Sequence, residues 1–452
     1  MSGRRLLVLV FVLTLPFVGT RLRGADEIEY FVYLHSLAFD RDLDFANEYR
    51  YFYEQDPQGL QGFKATFMEL REASTGRPIN FGPLGSALLW SPFYLAAHGG
   101  VLVARALGQS VEADGLSHPY VAAACYGSAV WGFAGLLLIH GALRRFLAVP
   151  EPAASWSVAA LWLASPVLYY LTIAPGFSHA CSLFAVALVL WLWLRAAQAE
   201  DGGAVRQWAL LGAAGGLCAL VREQDGFFLI VPGLWLAWRT LEQRSWSLGV
   251  RRGLAMAAAA LLVFVPQLAT YRALNGTFGP SPLVKRKLTW WSPHFFEVLF
   301  DPAHGLYVWA PLLLVATAGL VYLARRDRRF ALLGLGLLAQ VAVNGALESW
   351  TQAGAFGSRR FVGATFVFAC GLAPLVAAGV RLKGARLAGA TVALFVWWNV
   401  SLMLQFGLKL MDRQGLAWPA VAKTQFTEVP GRLGRTAWLY LTDRERLVRE
   451  SR

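Results

Sequence analysis

Long apolar stretches recur from one end of this chain to the other, and they limit its fold more than any other feature. Among 452 residues, 56% are hydrophobic and only 15% are charged, too few charges to clothe a soluble protein of this size. In a bilayer every backbone N–H and C=O must bond within the protein, so such stretches are read as helices. Candidate spans are Leu6–Thr20, Pro119–Leu143, Ala154–Leu171, Ala180–Leu194, Trp208–Leu220, Phe227–Trp238, Leu254–Thr270, Leu306–Leu323, Phe330–Leu347, Phe361–Val380 and Leu387–Phe406. The expected fold class is all-α, a polytopic helical membrane protein with about 11 transmembrane helices. Residues 1–407 form the membrane domain and 408–452 a basic C-terminal tail. Several segments are short for a hydrocarbon layer of about 30 Å, so bent or re-entrant helices are expected.

Charge sets the orientation. Arg4, Arg5, Arg144, Arg145, Arg195, Arg206, Arg239, Arg325, Arg326, Arg381 and Arg386 sit in short loops between spans and mark the inner side. The Arg4–Arg5 pair and the apolar Leu6–Val18 resemble a signal peptide, but Thr20-Arg21-Leu22-Arg23 lacks small cleavage-site residues, so an uncleaved first span is expected. Residues 21–107 make a first outer loop with juxtamembrane helices, and 271–305 a second. Between Arg21 and Leu84 the first loop carries 11 acids against 7 bases, opposite in sign to the chain's net +13. The segment Leu84–Leu107 is apolar enough to span, yet it contains Ser91-Pro92, His98 and Gly99-Gly100. If it crosses, the later Arg-rich loops invert. If it lies in the interface or re-enters, they all fall inside, and this second topology is favoured. The tail then lies outside despite its basic charge.

Function classes narrow by elimination. Loop arginines account for most of the basic balance, so no nucleic-acid partner is required. There is no P-loop, dinucleotide fingerprint, HExxH or Gly-x-Ser-x-Gly. Cys125, Cys181, Cys218 and Cys370 each lie in or beside apolar sequence without metal-ligand spacing and are read as buried free thiols. Gly212–Gly216 fits close helix packing.

Polar residues that cost energy beside hydrocarbon are the candidates for chemistry. Asp26 and Glu27 directly follow the first span, at the start of a short amphipathic helix. A carboxylate there can act as general base on an acceptor whose partner is dissolved in the bilayer. His179, at the start of a later span, and Asp44 in the first loop are candidates for a divalent metal or a polar contact. Arg222, in the polar turn Arg222-Glu223-Gln224-Asp225, suits bidentate phosphate binding. Lys285 and Arg286 lie beside Trp290-Trp291. Arg359 and Arg360 break the inside rule for bases, which phosphate recognition explains. No cofactor is indicated with certainty beyond a candidate divalent metal.

These elements together resemble the multi-spanning C-type glycosyltransferases that use lipid-phosphate-linked sugars, in pattern the protein O-mannosyltransferase and lipid A aminoarabinose transferase group. The resemblance rests on Asp26-Glu27-Ile28-Glu29-Tyr30 after the first span, the helix start Gly82-Pro83-Leu84-Gly85, and the turn Leu220-Val221-Arg222-Glu223. It covers residues 1–310 at the level of layout. Two positions depart from it: Phe81-Gly82 replaces a lysine before the helix start, and His179 stands where a second acid is usual. The resemblance implies a polyprenyl-phosphate sugar donor, a lipid, glycan or protein acceptor, and surrounding membrane lipids as partners. It also implies an inverting transfer with Asp26 as base, on the outer face of a bacterial inner (plasma) membrane. A flippase for a lipid-linked sugar and a non-catalytic scaffold of the same fold are the alternatives, although no internal repeat supports the first.

Overall fold

The structure, a computed structural model, describes residues 3–199, 202–352 and 354–450, all helix and loop apart from two isolated bridges. Helix α1 (Gly3–Thr14) runs on as a 3-10 turn at Leu15–Phe17, tightened by Pro16, so the first span is part α and part 3-10. The first loop holds α2 (Ala25–His35), α3 (Ala46–Gln55) and the long α4 (Gly85–Ala106). Then come α5 (His118–Arg145), α6 (Glu151–Leu163), α7 (Pro166–Thr172), α8 (His179–Ala197), α9 (Val205–Val221), α10 (Ile230–Gln243) and α11 (Trp246–Asn275). The second loop contributes α12 (Pro282–Arg286), α13 (Glu297–Phe300) and α14 (Leu306–Trp309). The remainder is α15 (Pro311–Ala324), α16 (Arg328–Gly345), α17 (Thr365–Lys383), α18 (Ala385–Gly407), α19 (Trp418–Thr427), α20 (Val429–Thr442) and α21 (Arg444–Glu450).

Among the described residues, six helices are long and apolar enough to cross a bilayer, and the bent pair α6–α7, taken as one span, makes a seventh. The chain is an integral, multi-pass membrane protein. Residues Leu254, Leu261 and Leu262 of α11 point outward, an exposed apolar face suited to lipid rather than water. Inside, packing draws on large side chains such as Trp90, Trp162, Trp193 and Trp208. Small residues bring backbones together: at Gly212 and Gly216 of α9 a Cβ would strike the Met256 and Ala260 carbonyl oxygens of α11. The four cysteines are buried and free, as expected.

The 71° bend between α6 and α7 falls at Ala164-Ser165. Pro166 cannot continue the hydrogen-bond ladder, and Ser165 Oγ caps the new helix by accepting from Val167 N. The break frees carbonyls that water cannot reach. Asn399 of α18 satisfies two, donating from Nδ2 to Leu163 O at 2.9 Å and Ser165 O at 3.0 Å.

Contacts between helix ends define two faces. At one end, Gly3 packs against Ser155 and Glu151, Arg144 pairs with Glu151 at 2.8 Å, and Arg329 donates to Phe146 O. Arg328 lies over Trp238, so basic loops collect at this end. At the other, Gly19 N bonds to Thr172 O and His118 Nε2 lies 3.1 Å from Thr20 Oγ1. Gly85, at the start of α4, touches the Leu220–Val221 backbone beside Arg222, and α4 leads by a short loop to His118. The start of α4 and the start of α5 therefore lie in the half that holds Thr20 and Arg222. The tail reaches the same end: Tyr440 Oη bonds Phe17 O, and Arg444 donates to Val18 O and Pro16 O.

Candidate active site

Asp26 occupies the first turn of α2, where a carboxylate is favoured by the helix dipole. The turn is built by its neighbour. Glu27 Oε2 reaches back to accept from Arg23 N at 2.8 Å and Gly24 N at 2.9 Å, satisfying donors that the helix start leaves free. Glu27 is fully enclosed, and burial pushes its carboxyl up to about 7 against those two bonds. Its role in the fold is thus to hold the turn that presents Asp26. Glu29, one turn on, is also buried. Its Oε1 accepts from Phe81 N, and burial with the nearby Asp26 charge pushes it up to about 8.

The first loop folds onto the start of α4 through this helix. Tyr33 Oη donates to Gly82 O at 2.9 Å, and Asn80 Nδ2 to Glu29 O at 3.0 Å. The second loop is tied on from above, with Ser74 and Thr75 donating to Asn275 O and Leu274 O. An antiparallel bridge, Leu288 with Leu347, docks it on the chain that leads to Arg359.

Asp26 is not alone. Its Oδ2 pairs with Arg359 Nη1 at 3.1 Å, the carboxylate being 42% exposed and the arginine 16%. The Arg359 guanidinium lies over Phe177 at 4.9 Å. Arg222, the residue that ends α9, donates from Nη1 to Ser178 Oγ at 3.1 Å, while its Nε stands 3.8 Å from buried Asp225. Ser182 Oγ donates to Asp225 Oδ2 at 2.6 Å. Arg360 donates to Ser349 Oγ at 2.9 Å. The three guanidiniums lie within one another's electrostatic reach, together with Tyr30 and Asp26. Arg222 Nε and Arg360 Nη1 are buried with no hydrogen-bond partner. Like charges held together with donors left over form an anion-binding arrangement.

The other expected residues are placed differently. His179 is buried between Tyr170, at 4.6 Å, and Phe177. Arg222, Arg359 and Arg360 act on it electrostatically, a cationic surrounding that repels a metal ion. Asp44 is exposed and accepts from Ala46 N at the start of α3. Lys285 and Arg286 are exposed on α12. Lys287, also exposed, holds its Nζ 4.9 Å over the Phe81 ring and acts on Glu29. Residues the sequence did not single out as site residues are Ser178 and Ser182.

No family model and no curated protein matches this sequence. Solved structures do match in fold. One is the crystal structure of ArnT from Cupriavidus metallidurans bound to undecaprenyl phosphate, with TM-score 0.50 and 18% identity over 99% of this chain and 76% of that one. The chain thus has a polytopic membrane fold similar to that of ArnT.

Proposed function

We propose that this protein is a membrane glycosyltransferase that moves one sugar from a polyprenyl-phosphate donor to an extracytoplasmic acceptor. The observation that carries the reading is one partly exposed carboxylate, Asp26, paired with Arg359 beside two further guanidiniums, Arg222 and Arg360, that each hold a buried, unpartnered donor. The likeness to a protein bound to undecaprenyl phosphate supports it.

In this reading Arg222, Arg359 and Arg360 receive the donor phosphate. Asp26 accepts the proton of an acceptor hydroxyl or amine as that group attacks the anomeric carbon. The bond from that carbon to the phosphate oxygen breaks, and polyprenyl phosphate leaves with its charge held by the guanidiniums. A single displacement inverts the anomeric centre. Phosphate competing for Arg359 frees Asp26 Oδ2 for the acceptor proton. Glu27 keeps the turn in place. Lys285 and Arg286 are assigned to the donor headgroup or to membrane phosphates at the rim.

The test is sugar transfer by purified protein in lipid, with polyprenyl-phosphate sugars as donors and membrane extract as acceptor. Asp26→Asn is expected to lower the rate by about 100-fold or more, the usual scale of general-base loss, with folding intact. Full activity in that variant would remove Asp26 as base. Lipid carried across vesicles without release of polyprenyl phosphate would replace the transferase reading with transport.

A further inference from the structure

At the far end of α2 from Asp26, three side chains converge that the proposed reaction does not use. His35 closes α2, a π-helical turn at Ser36–Asp40 follows, and Arg41, at φ 59, reverses the chain. The reversal brings Asp40 back beside His35, and α3 supplies Glu48 from the other side. His35 Nδ1 lies 2.9 Å from Glu48 Oε1 and 3.3 Å from Asp40 Oδ2. One ligand atom from each residue falls within 4.8 Å of the other two.

The Cδ2 edge of the imidazole packs against Gly115. In the tautomer protonated on Nε2, Nδ1 presents a lone pair toward both carboxylates, the arrangement of a metal-bound histidine. Three lone-pair donors then point at one spot, which calls for a positive charge between them. Either a proton on Nδ1 or a metal ion supplies it. The orphaned atom favours the metal: the Glu48 side chain is completely buried, yet its Oε2 has no hydrogen-bond partner. A proton shared with Oε1 leaves Oε2 bare, whereas a chelated cation engages both oxygens. Asn47 Nδ2 donates to Asp40 Oδ2 at 2.8 Å and orients that ligand. Ligands about 2.0–2.2 Å from a tetrahedral zinc lie roughly 3.3–3.6 Å apart, so small shifts of these side chains suffice.

We propose that His35, Asp40 and Glu48 bind a divalent transition cation, zinc foremost, that clips α2 to α3. One imidazole and two carboxylates suit zinc or manganese better than magnesium. Asp40, on the exposed side, leaves room for water as a further ligand. The cation braces the loop that carries Asp26 and takes no part in bond making. The proposal stands whether or not the protein is a transferase.

The experiment uses the purified full chain, stripped with a chelator and titrated with zinc chloride by calorimetry. Cobalt(II) absorption in the visible reports the ligand set, and thermal unfolding reports the clip. One saturable equivalent is expected, with a rise of several degrees in Tm and a cobalt spectrum. His35→Ala with Glu48→Gln is expected to abolish all three, and Glu54→Gln, exposed on α3, to leave them unchanged. Should the double variant not fold, Asp40→Asn is expected to weaken binding by about tenfold or more. No saturable binding by the wild type means that the trio shares a proton, and overturns the proposal. Undiminished binding in the variants places the ion elsewhere and overturns it equally.

Discussion

Arg360 illustrates how function and stability oppose each other at a single residue. It is buried beside two other guanidiniums and has one nitrogen without a partner. Without a bound anion, the charge is held against repulsion and desolvation. Arg360→Gln is therefore expected to raise Tm in the absence of ligand while weakening undecaprenyl phosphate binding by about tenfold or more, the scale of one lost charge-assisted contact. A lower Tm together with unchanged binding would assign Arg360 to the fold alone. Glu27 makes the opposite trade. Its carboxyl is ordinary at 4.5 and rises to about 7 in the folded protein, so ionisation is harder in the fold than in the unfolded chain. The resulting contribution to stability is complete below 4.5 and is lost as pH rises through 7. Glu27→Gln keeps an acceptor for Arg23 N and Gly24 N without the charge. Its Tm is expected to match the wild type near pH 4.5 and to exceed it above pH 7, by the equivalent of a few kcal/mol. An identical difference at both pH values would refute the burial argument. Asp26 was legible in the sequence because an acid beside a membrane exit is costly. The surroundings of His179 were not, because the arginines that act on it, Arg222, Arg359 and Arg360, come from distant segments.

Among the elements, the apolar runs were readable because the bilayer leaves helices few alternatives, and most expected spans have a helix at their centre. Breaks were harder to place. The run Ala154–Leu171 became α6 and α7 with a sharp bend, which depends on Asn399, more than two hundred residues away, to satisfy the freed carbonyls. Leu306–Leu323 likewise divides at Pro311 into α14 and α15. The glycines of α9 were read correctly as a packing face. They also make a sharp prediction, since the contact there is backbone against backbone. Gly212→Ala places a methyl group on the Met256 carbonyl oxygen, and no rotamer can relieve it. A loss at or above the usual 1–3 kcal/mol for overpacking is expected, about the upper end of that range. Gly233→Ala, whose Cβ would meet nothing within 4 Å, is the control. Equal Tm values for the two variants would mean that α9 and α11 move apart at no cost.

For the molecule as a whole, the question left open by the sequence was the course of residues 84–107. Hydropathy could not decide it, because α4 is as long and apolar as a true span. The Thr20–His118 contact and the packing of Gly85 on Leu220–Val221 place the starts of α4 and α5 in one half, which agrees with the favoured returning course. The same geometry brings the C-terminal tail beside the first loop, where Arg21 pairs with Glu445 at 2.6 Å. The basic tail thus sits against a loop with an acidic excess, which offsets its breach of the inside rule. Sidedness can be tested with single cysteines, because the four native thiols are buried. Gln109→Cys after α4 and Thr442→Cys in the tail are expected to react with a membrane-impermeant maleimide from the same side of sealed vesicles. Arg326→Cys, in the basic loop between α15 and α16, is expected to react only from the opposite side. All three positions are exposed. If Gln109→Cys reacted together with Arg326→Cys, α4 would cross the membrane. Every later helix would then invert, and Asp26 and Arg222 would face opposite compartments, ending the shared site on which the transferase reading depends.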